Sequence, residues 1–138
     1  MDKRIYIDTN IVVDLCDSAR ACHEVSTSTV MAYLEQGNDL FCNSDTLSNL
    51  FYILSNRSTL QCAEVLEKMA YITQIVALVL ITSEEVHDAL ALCKNPTMDF
   101  YDYEDALQYV CAKKIGASTI VTNDRGFISP DIPIQKTC

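Results

Sequence analysis

The chain has 138 residues, enough for one domain with a hydrophobic core and too few for two. Hydrophobic residues make up 49% of it, which favours a compact fold and excludes an intrinsically disordered segment. The net charge of −9 argues against tight binding of long nucleic acid, because phosphate contacts favour a basic surface. We therefore expect residues 1–138 to form a single domain.

The sequence carries no apolar run of membrane-spanning length, and its first residues lack the apolar core of a secretory leader. Its seven cysteines are odd in number, scattered, and without a C-x-x-C pair. We therefore expect free thiols in a reduced, cytoplasmic protein that does not associate with membranes. Cys138 is expected to be exposed.

Hydrophobic periodicity and cap residues predict strands that alternate with helices. In chain order we predict a strand at 4–7, helices at 10–16 and 25–35, a strand at 39–42, helices at 44–54 and 60–71, a strand at 75–81, a helix from 82 to about 95, a helix at 102–115, and strands at 118–121 and 132–134. Thr82 and Glu85 fit a capping box, and Gly116 fits a left-handed helix cap. The pattern predicts an α/β fold whose central sheet has about four to five mainly parallel strands, covered on both faces.

Four acidic residues stand out from this pattern. Asp8 and Asp124 follow apolar runs that read as strands, and open α/β sheets gather ligands at the carboxyl ends of their strands. Asp102 and Asp105 are three residues apart, so they share one face at the start of a helix. Converging carboxylates repel one another and need a cation. Hard oxygen ligands without a His or Cys cluster indicate Mg²⁺ or Mn²⁺, so the sequence favours a metal-dependent phosphodiesterase.

Polar residues flank both strand-end carboxylates. We expect them to hold a carboxylate or a water in place, and they are Thr9, Asn10, Thr122 and Asn123. Arg125 follows Asp124 directly and is the best candidate for a contact to a substrate phosphate, ahead of Lys113 and Lys114.

Each acid also has a purely structural alternative. Asp102 is suited to cap its helix, and Asp105 to complement the positive end of the helix dipole. Asp8 is suited to a turn or cap, and Asp124 to an ordinary turn. Ser44 is likewise a candidate helix cap.

Three stretches together resemble the PIN-domain family, and within it the VapC-like toxin ribonucleases. They are YIDTN at 6–10, DALQYVCA at 105–112, and VTNDRGF at 121–127. Their order, spacing and hydrophobic flanks agree with the family over essentially the whole chain. The resemblance implies a three-layer α/β/α fold.

One position departs from the family. The helix that begins near Ser44 usually carries a Glu, and Asn49 stands where that Glu is expected. An Asn carbonyl can ligate a metal or its water but adds no charge, so Asp102 is the candidate to replace the missing charge. The likeness is closest to a PIN subgroup with Asn at this position.

The resemblance also implies a mechanism and partners. One or two Mg²⁺ or Mn²⁺ ions would bind Asp8, Asp105 and Asp124, with Asp102 and Asn49 assisting and Ser44 in a supporting role. Such a site hydrolyses RNA with a metal-activated water. The expected partners are a cognate antitoxin, often with an Arg inserted into the acidic groove, and a second copy of the chain in a homodimer.

Two other functions compete with this hypothesis. The first is a PIN-fold protein-binding module with weakened catalysis, which Asn49 and the acidic surface favour. The second is another Mg²⁺-dependent phosphoryl-transfer enzyme, although the second Asp that haloacid-dehalogenase-like phosphatases need two residues after Asp8 is missing.

Overall fold

The computed structural model describes residues 3–138, which form five strands and six helices. In chain order these are β1 (Arg4–Ile7), α1 (Thr9–Cys16), α2 (His23–Glu35), β2 (Asp39–Asn43), α3 (Ser44–Arg57), α4 (Cys62–Ile75), β3 (Ala77–Val79), α5 (Ser83–Lys94), α6 (Tyr103–Lys114), β4 (Thr119–Val121) and β5 (Ile134–Gln135). The strands form one sheet in the order β3-β2-β1-β4-β5, and every neighbouring pair is parallel. The predicted α/β fold is confirmed.

The two faces of the sheet carry separate hydrophobic cores. Ile5 and Ile7 pack against α1 to α4, whereas Tyr6 between them packs against α5 and α6. Successive side chains of a strand point to opposite faces, so a fully buried central strand needs apolar residues at every position. This explains the uninterrupted run before Asp8 and produces three layers.

The structure corrects two predicted boundaries. Residues 75–81 were predicted as a strand, but α4 continues to Ile75 and β3 covers only Ala77–Val79. A short apolar run does not distinguish a buried helix turn from a strand. Neither Ser44 nor Asp45 caps α3, because β2 runs directly into the helix. The cap is Asn43, whose Oδ1 accepts a hydrogen bond from Thr46 N at 3.0 Å.

Other helix ends agree with the sequence. The capping box of α5 is formed, with Glu85 Oε1 accepting from Thr82 N at 2.7 Å. Gly116 follows α6 with φ of 65°, the left-handed conformation that favours glycine. Within residues 3–138 no helix is long and apolar enough to cross a membrane.

The expectation that all seven cysteines are free thiols is wrong. Cys22, at the start of α2, forms a disulfide with Cys138, 116 positions away in sequence. Beside the disulfide, Asn123 Oδ1 accepts hydrogen bonds from the backbone N of Thr137 and of Cys138, at 2.8 and 3.3 Å. Sequence spacing cannot reveal such a distant contact. The free cysteines in the described part of the chain include three buried ones and the exposed Cys62.

This cross-link closes a very long loop, so we expect it to contribute to stability. In the chain-entropy account, a loop of this length is worth about 3–5 kcal/mol of unfolding free energy. Dithiothreitol should therefore lower the free energy of unfolding in urea by about that amount. Cys138→Ser should have the same effect and remove the response to reductant, whereas Cys62→Ser should behave as wild type. Equal stability with and without reductant would contradict the prediction.

Candidate functional site

The central strand β1 lies at the switch point of the sheet, where the order in which strands are added reverses. From β1 the chain builds outward through β2 and β3, and then returns to add β4 and β5 on the other side. Ligands of open α/β sheets bind at such a switch point, beyond the carboxyl ends of the strands. Asp8 follows β1 and Asp124 follows β4, so both predicted strand-end acids lie at this edge.

Asp8 is nearly inaccessible, with 5% of its surface exposed. Its Oδ2 accepts hydrogen bonds from Thr122 Oγ1 at 2.8 Å and Asn10 Nδ2 at 3.2 Å. Its Oδ1 accepts one from Thr9 N at 2.8 Å, which makes Asp8 the cap of α1 as well. The pKa of Asp8 is raised to about 6, chiefly by burial and to a smaller extent by the charges of Glu104 and Asp124, against the lowering effect of the bonds from Thr122 and Thr9. The carboxylate is therefore held firmly but is poorly solvated.

Helix α6 supplies the second pair of acids. Asp102 caps the helix by accepting from Asp105 N at 3.1 Å, so the structural alternative for Asp102 is correct. The pKa of Asp105 is raised to about 7, first by burial and then by the negative charges of Asp124, Asp102 and Asp8. The structure thus brings the four acids predicted from sequence into one electrostatic cluster.

Asp124 lies in a tight turn after β4. Its Oδ1 accepts from Gly126 N at 2.9 Å, which is the turn geometry expected as its structural alternative. Its backbone N donates to Thr122 Oγ1 at 3.1 Å. The Thr122 hydroxyl therefore bridges Asp8 and the Asp124 turn, and it is fully buried.

Three predicted supporting residues form no hydrogen bond with the four acids, and two of them bond other parts of the molecule. The Asn123 side chain bonds the C-terminal segment and not an acid. Ser44 Oγ accepts from Ile81 N at 3.2 Å. Asn49 is half-buried on α3, and no hydrogen bond of its side chain to another described residue is present.

Two further acids affect the cluster and were not singled out from sequence. The charge of Glu104 acts on Asp8, and the pKa of Glu104 is itself raised by burial and by the charges of Asp102 and Asp45. Asp45 lies in the first turn of α3, one helical turn before Asn49. The sequence does offer a hint of their place: Glu104 and Asp45 each lie in the first turn of a helix that begins at this edge of the sheet.

A neutral polar network lies beneath the acids. Gln108 Nε2 donates to Thr9 Oγ1 at 2.9 Å, and its Oε1 accepts from Asn43 Nδ2 at 3.2 Å. Tyr6 also donates to Gln108 Oε1, and Thr46 Oγ1 donates to Asn43 Oδ1 at 3.2 Å. Buried polar groups need such partners. The network ties β1, α1, β2, α3 and α6 together directly under the site, and the signal in the sequence was Gln108 within an otherwise apolar helix face.

The donor chemistry of this edge fits a hard divalent cation. The available ligands are carboxylate oxygens, with Asn10 Oδ1 beside them as a buried acceptor that has no hydrogen-bond partner among residues 3–138. Across that same stretch, no three acidic, His or Cys side chains are arranged as a finished metal-binding set. The acids are therefore gathered by the fold, and closing them around a cation requires side-chain adjustment.

The basic residues divide into two groups. Arg125 is exposed and forms no ion pair with any residue that the structure describes. Lys113 pairs with Asp131, and Lys114 pairs with Glu85 at 3.1 Å. The two lysines are therefore committed to structural contacts and are poorer candidates for phosphate binding than Arg125.

Cavity size alone does not identify the site. A cavity of about 470 Å³ lies between α2 and β5, and no carboxylate lines it. A smaller one of about 310 Å³ is lined by Asp102, Asp105 and Asp124. The chemistry of the lining residues favours the smaller cavity.

Comparison with known proteins agrees with this architecture. A family model described as a PIN domain matches residues 4–126. The chain belongs to the PIN-domain family. Ribonuclease VapC1 of Aquifex aeolicus (strain VF5) is 32% identical over 135 residues, which cover 98% of this chain and 91% of that protein.

Two solved structures share the PIN fold. VapC20 of Mycobacterium tuberculosis, described as a toxin that cleaves the sarcin-ricin loop, superposes with a TM-score of 0.71 at 17% identity, over 89% of this chain and 92% of that one. VapBC2 of Rickettsia felis, bound to a DNA fragment from its promoter, gives 0.72 at 16% identity, over 96% and 98%. At these identities the likeness concerns the fold.

The crowding of acids should destabilise the protein without metal. The raised pKa of Asp105 means that this penalty grows as pH rises from 3.8 through about 7 and is complete at pH 8. With EDTA at pH 8, Asp105→Asn should raise the free energy of unfolding by about 1–2 kcal/mol, a figure discounted for solvent screening of this half-exposed group. The gain should shrink at pH 5. Asp88 is exposed on α5, and Asp88→Asn should show no such gain. An Asp105→Asn protein that is no more stable than wild type at pH 8 would contradict the prediction.

Proposed function

We propose that this protein is a divalent-metal-dependent endoribonuclease. The observation that carries the proposal is the cluster of Asp8, Asp105 and Asp124 at the switch point of the sheet. Among the described residues, none of the three forms an ion pair with a Lys or Arg. The Aquifex relative, at 32% identity, is named a ribonuclease.

The proposed roles follow from the surroundings of each group. Asp8, Asp105 and Asp124 would hold Mg²⁺ or Mn²⁺, with Asp102 adding charge and Asn49 on α3 as a neutral oxygen donor. A bound cation supplies an activated water at neutral pH and offsets charge on the phosphate. Thr122, Thr9 and Asn10 would fix the orientation of Asp8, because each donates a hydrogen bond to its carboxylate.

Arg125 would contact the substrate phosphate. It directly follows Asp124, is exposed, and has no competing acidic partner in the described part of the chain. With a net charge of −9, the protein has few other cations to attract RNA, so a short contact of this kind would matter more than in a basic nuclease.

A toxin role and its partners belong to the same proposal. The Rickettsia felis structure is described as VapBC2, and on that analogy an antitoxin would cover the acidic edge of this chain in the cytoplasm. Homodimerisation is proposed through α3 and α4, which expose Phe51, Tyr52 (62% exposed) and Leu66 (52% exposed). Exposed large apolar side chains on adjacent helices are typical of interfaces.

One observation favours a second candidate, a PIN-fold binding module with weakened catalysis. The acids within residues 3–138 are not pre-arranged as a metal-ligand set, and Asn49 adds no charge. Metal-dependent cleavage of RNA by the wild type would exclude this candidate.

The decisive experiment compares wild type with Asp8→Asn and Asp105→Asn on mixed single-stranded RNA, with Mn²⁺ or with EDTA. Wild type with Mn²⁺ should cleave, and each variant should lose about 1,000-fold in rate as several kcal/mol of transition-state stabilisation disappear. Asp88→Asn is the matched control and should keep full activity. If folded wild type, free of a co-purified inhibitor, does not cleave with Mn²⁺, the binding module is the better explanation.

The phosphate contact has its own test. Arg125→Gln should weaken RNA binding about tenfold at low salt, and should reduce the slope of log affinity against log salt by about 0.7, the value for one phosphate contact on a single strand. Lys136→Gln, also exposed, serves as the charge-matched control. An unchanged salt slope in Arg125→Gln would remove Arg125 from the proposal.

A further inference from the structure

A cavity of about 310 Å³ opens directly beside the proposed reaction site. Asp105 and Asp124 form one wall. The remaining lining includes the apolar Phe100 and Ile128, the aromatic Tyr101, and the acid Asp99. Any group that fills this cavity would therefore contact the same two carboxylates that are proposed to hold the cation.

Tyr101 is the most unusual side chain in this lining. It is 90% exposed, although its neighbour Phe100 is buried and packs on Tyr109 with ring centroids 5.4 Å apart. Phe100 thus anchors the segment in the core while Tyr101 projects from it. The position of the tyrosine is nevertheless defined, because its hydroxyl donates to Asp99 Oδ1 at 3.0 Å. An aromatic ring that is oriented but packs on nothing is available to a ligand.

The backbone at Asp99 is strained. Its φ of 58° makes it the one residue other than glycine with positive φ between residues 3 and 138. Asp tolerates this region better than most residues, but the conformation still persists only where the surroundings enforce it. Strained residues of this kind concentrate at ligand clamps. Here the Asp99 carboxylate accepts the hydrogen bond of the Tyr101 hydroxyl, and both residues line the cavity.

We propose that this cavity binds one unstacked RNA base next to the scissile phosphate, with Tyr101 stacking on the base and Asp99 contacting its edge. The inference rests on the proposed ribonuclease function. The volume is at the lower end of the range for small-molecule sites, which suits a single base and not a longer segment. Splayed bases of single-stranded RNA commonly stack on aromatic side chains.

The acids around the cavity also predict which base is preferred. An ionised carboxylate only accepts hydrogen bonds, and Asp99 Oδ2 has no donor partner in the described part of the chain. Guanine presents two adjacent donors, N1–H and the 2-amino group, that match the two oxygens of a carboxylate. Uracil presents a single donor, N3–H, between two carbonyl oxygens, which a carboxylate repels. The site should therefore favour guanine and disfavour uracil at this position.

Cleavage kinetics test the stacking role. Tyr101→Leu should lower kcat/KM about 10- to 100-fold, the range measured for loss of one base–aromatic stack, whereas Tyr101→Phe should stay within about threefold of wild type. Leu90→Ala removes an exposed apolar side chain from α5, which has no role in the proposed site or interface, and should have no effect. Because Tyr101 is almost fully exposed, its replacement should leave the melting temperature unchanged.

Cut-site sequencing on a randomised ribooligonucleotide pool tests the base preference. Wild type should enrich guanine at one position beside the cut, and Asp99→Asn should reduce that enrichment at least fivefold. Asn also tolerates positive φ, so this variant should keep the backbone conformation.

A binding measurement without turnover separates this inference from the proposed function. With Ca²⁺ in place of Mn²⁺, a ribooligonucleotide containing 2-aminopurine should be quenched by wild type and not by Tyr101→Leu. Cleavage that is independent of Tyr101 and of the flanking base would overturn the base site and leave the ribonuclease function standing. Quenching that depends on Tyr101 without any cleavage would support the base site and overturn the ribonuclease function. The absence of both would overturn both.

Discussion

Mutual repulsion of carboxylates at the end of β1 is the constraint on which the rest of this molecule depends. Burial raises the pKa values of both Asp8 and Asp105, and the charges of neighbouring acids, Asp124 among them, add to the rise. The single hydroxyl of Thr122 links Asp8, which follows β1, to the turn of Asp124, which follows β4. Burying and crowding these carboxylates lowers the stability of the folded protein. Two hydrophobic cores, one on each face of the sheet, offset this loss by stabilising the strands that carry the acids.

The layer beneath the acids is polar but uncharged, so it adds no further repulsion to the carboxylates above it. Gln108, Thr9, Asn43, Tyr6 and Thr46 bond one another and link five elements without adding charge to a site that is already strongly acidic. The network holds Thr9, whose backbone N donates to Asp8, through bonds between neutral groups. The ligands of a cation bound above this layer would come from three backbone positions: the end of β1, the turn after β4 and the start of α6.

Much of this arrangement was readable from the sequence, because it follows from local rules. Asp8 and Asp124 come after apolar runs, and Asp102 precedes a helix with a matching cap geometry, so their location at one edge was predictable. The length of β3 was not, since α4 continues into the same apolar run. The roles of Asn43 and Gln108 were missed because their partners are distant in sequence. The bonds of Asn123 to the C-terminal segment and of Ser44 to Ile81 were not predicted for the same reason.

The disulfide has a practical meaning for anyone who handles this protein. Asn123 lies between Thr122 and Asp124, and its side chain holds the backbone of Thr137 and Cys138, which is covalently joined to Cys22. The oxidation state of a thiol pair thus determines how firmly the strand end that carries Asp124 is braced from behind. Preparations made with and without a thiol reductant are two chemically distinct samples, and a stability measured on one does not describe the other.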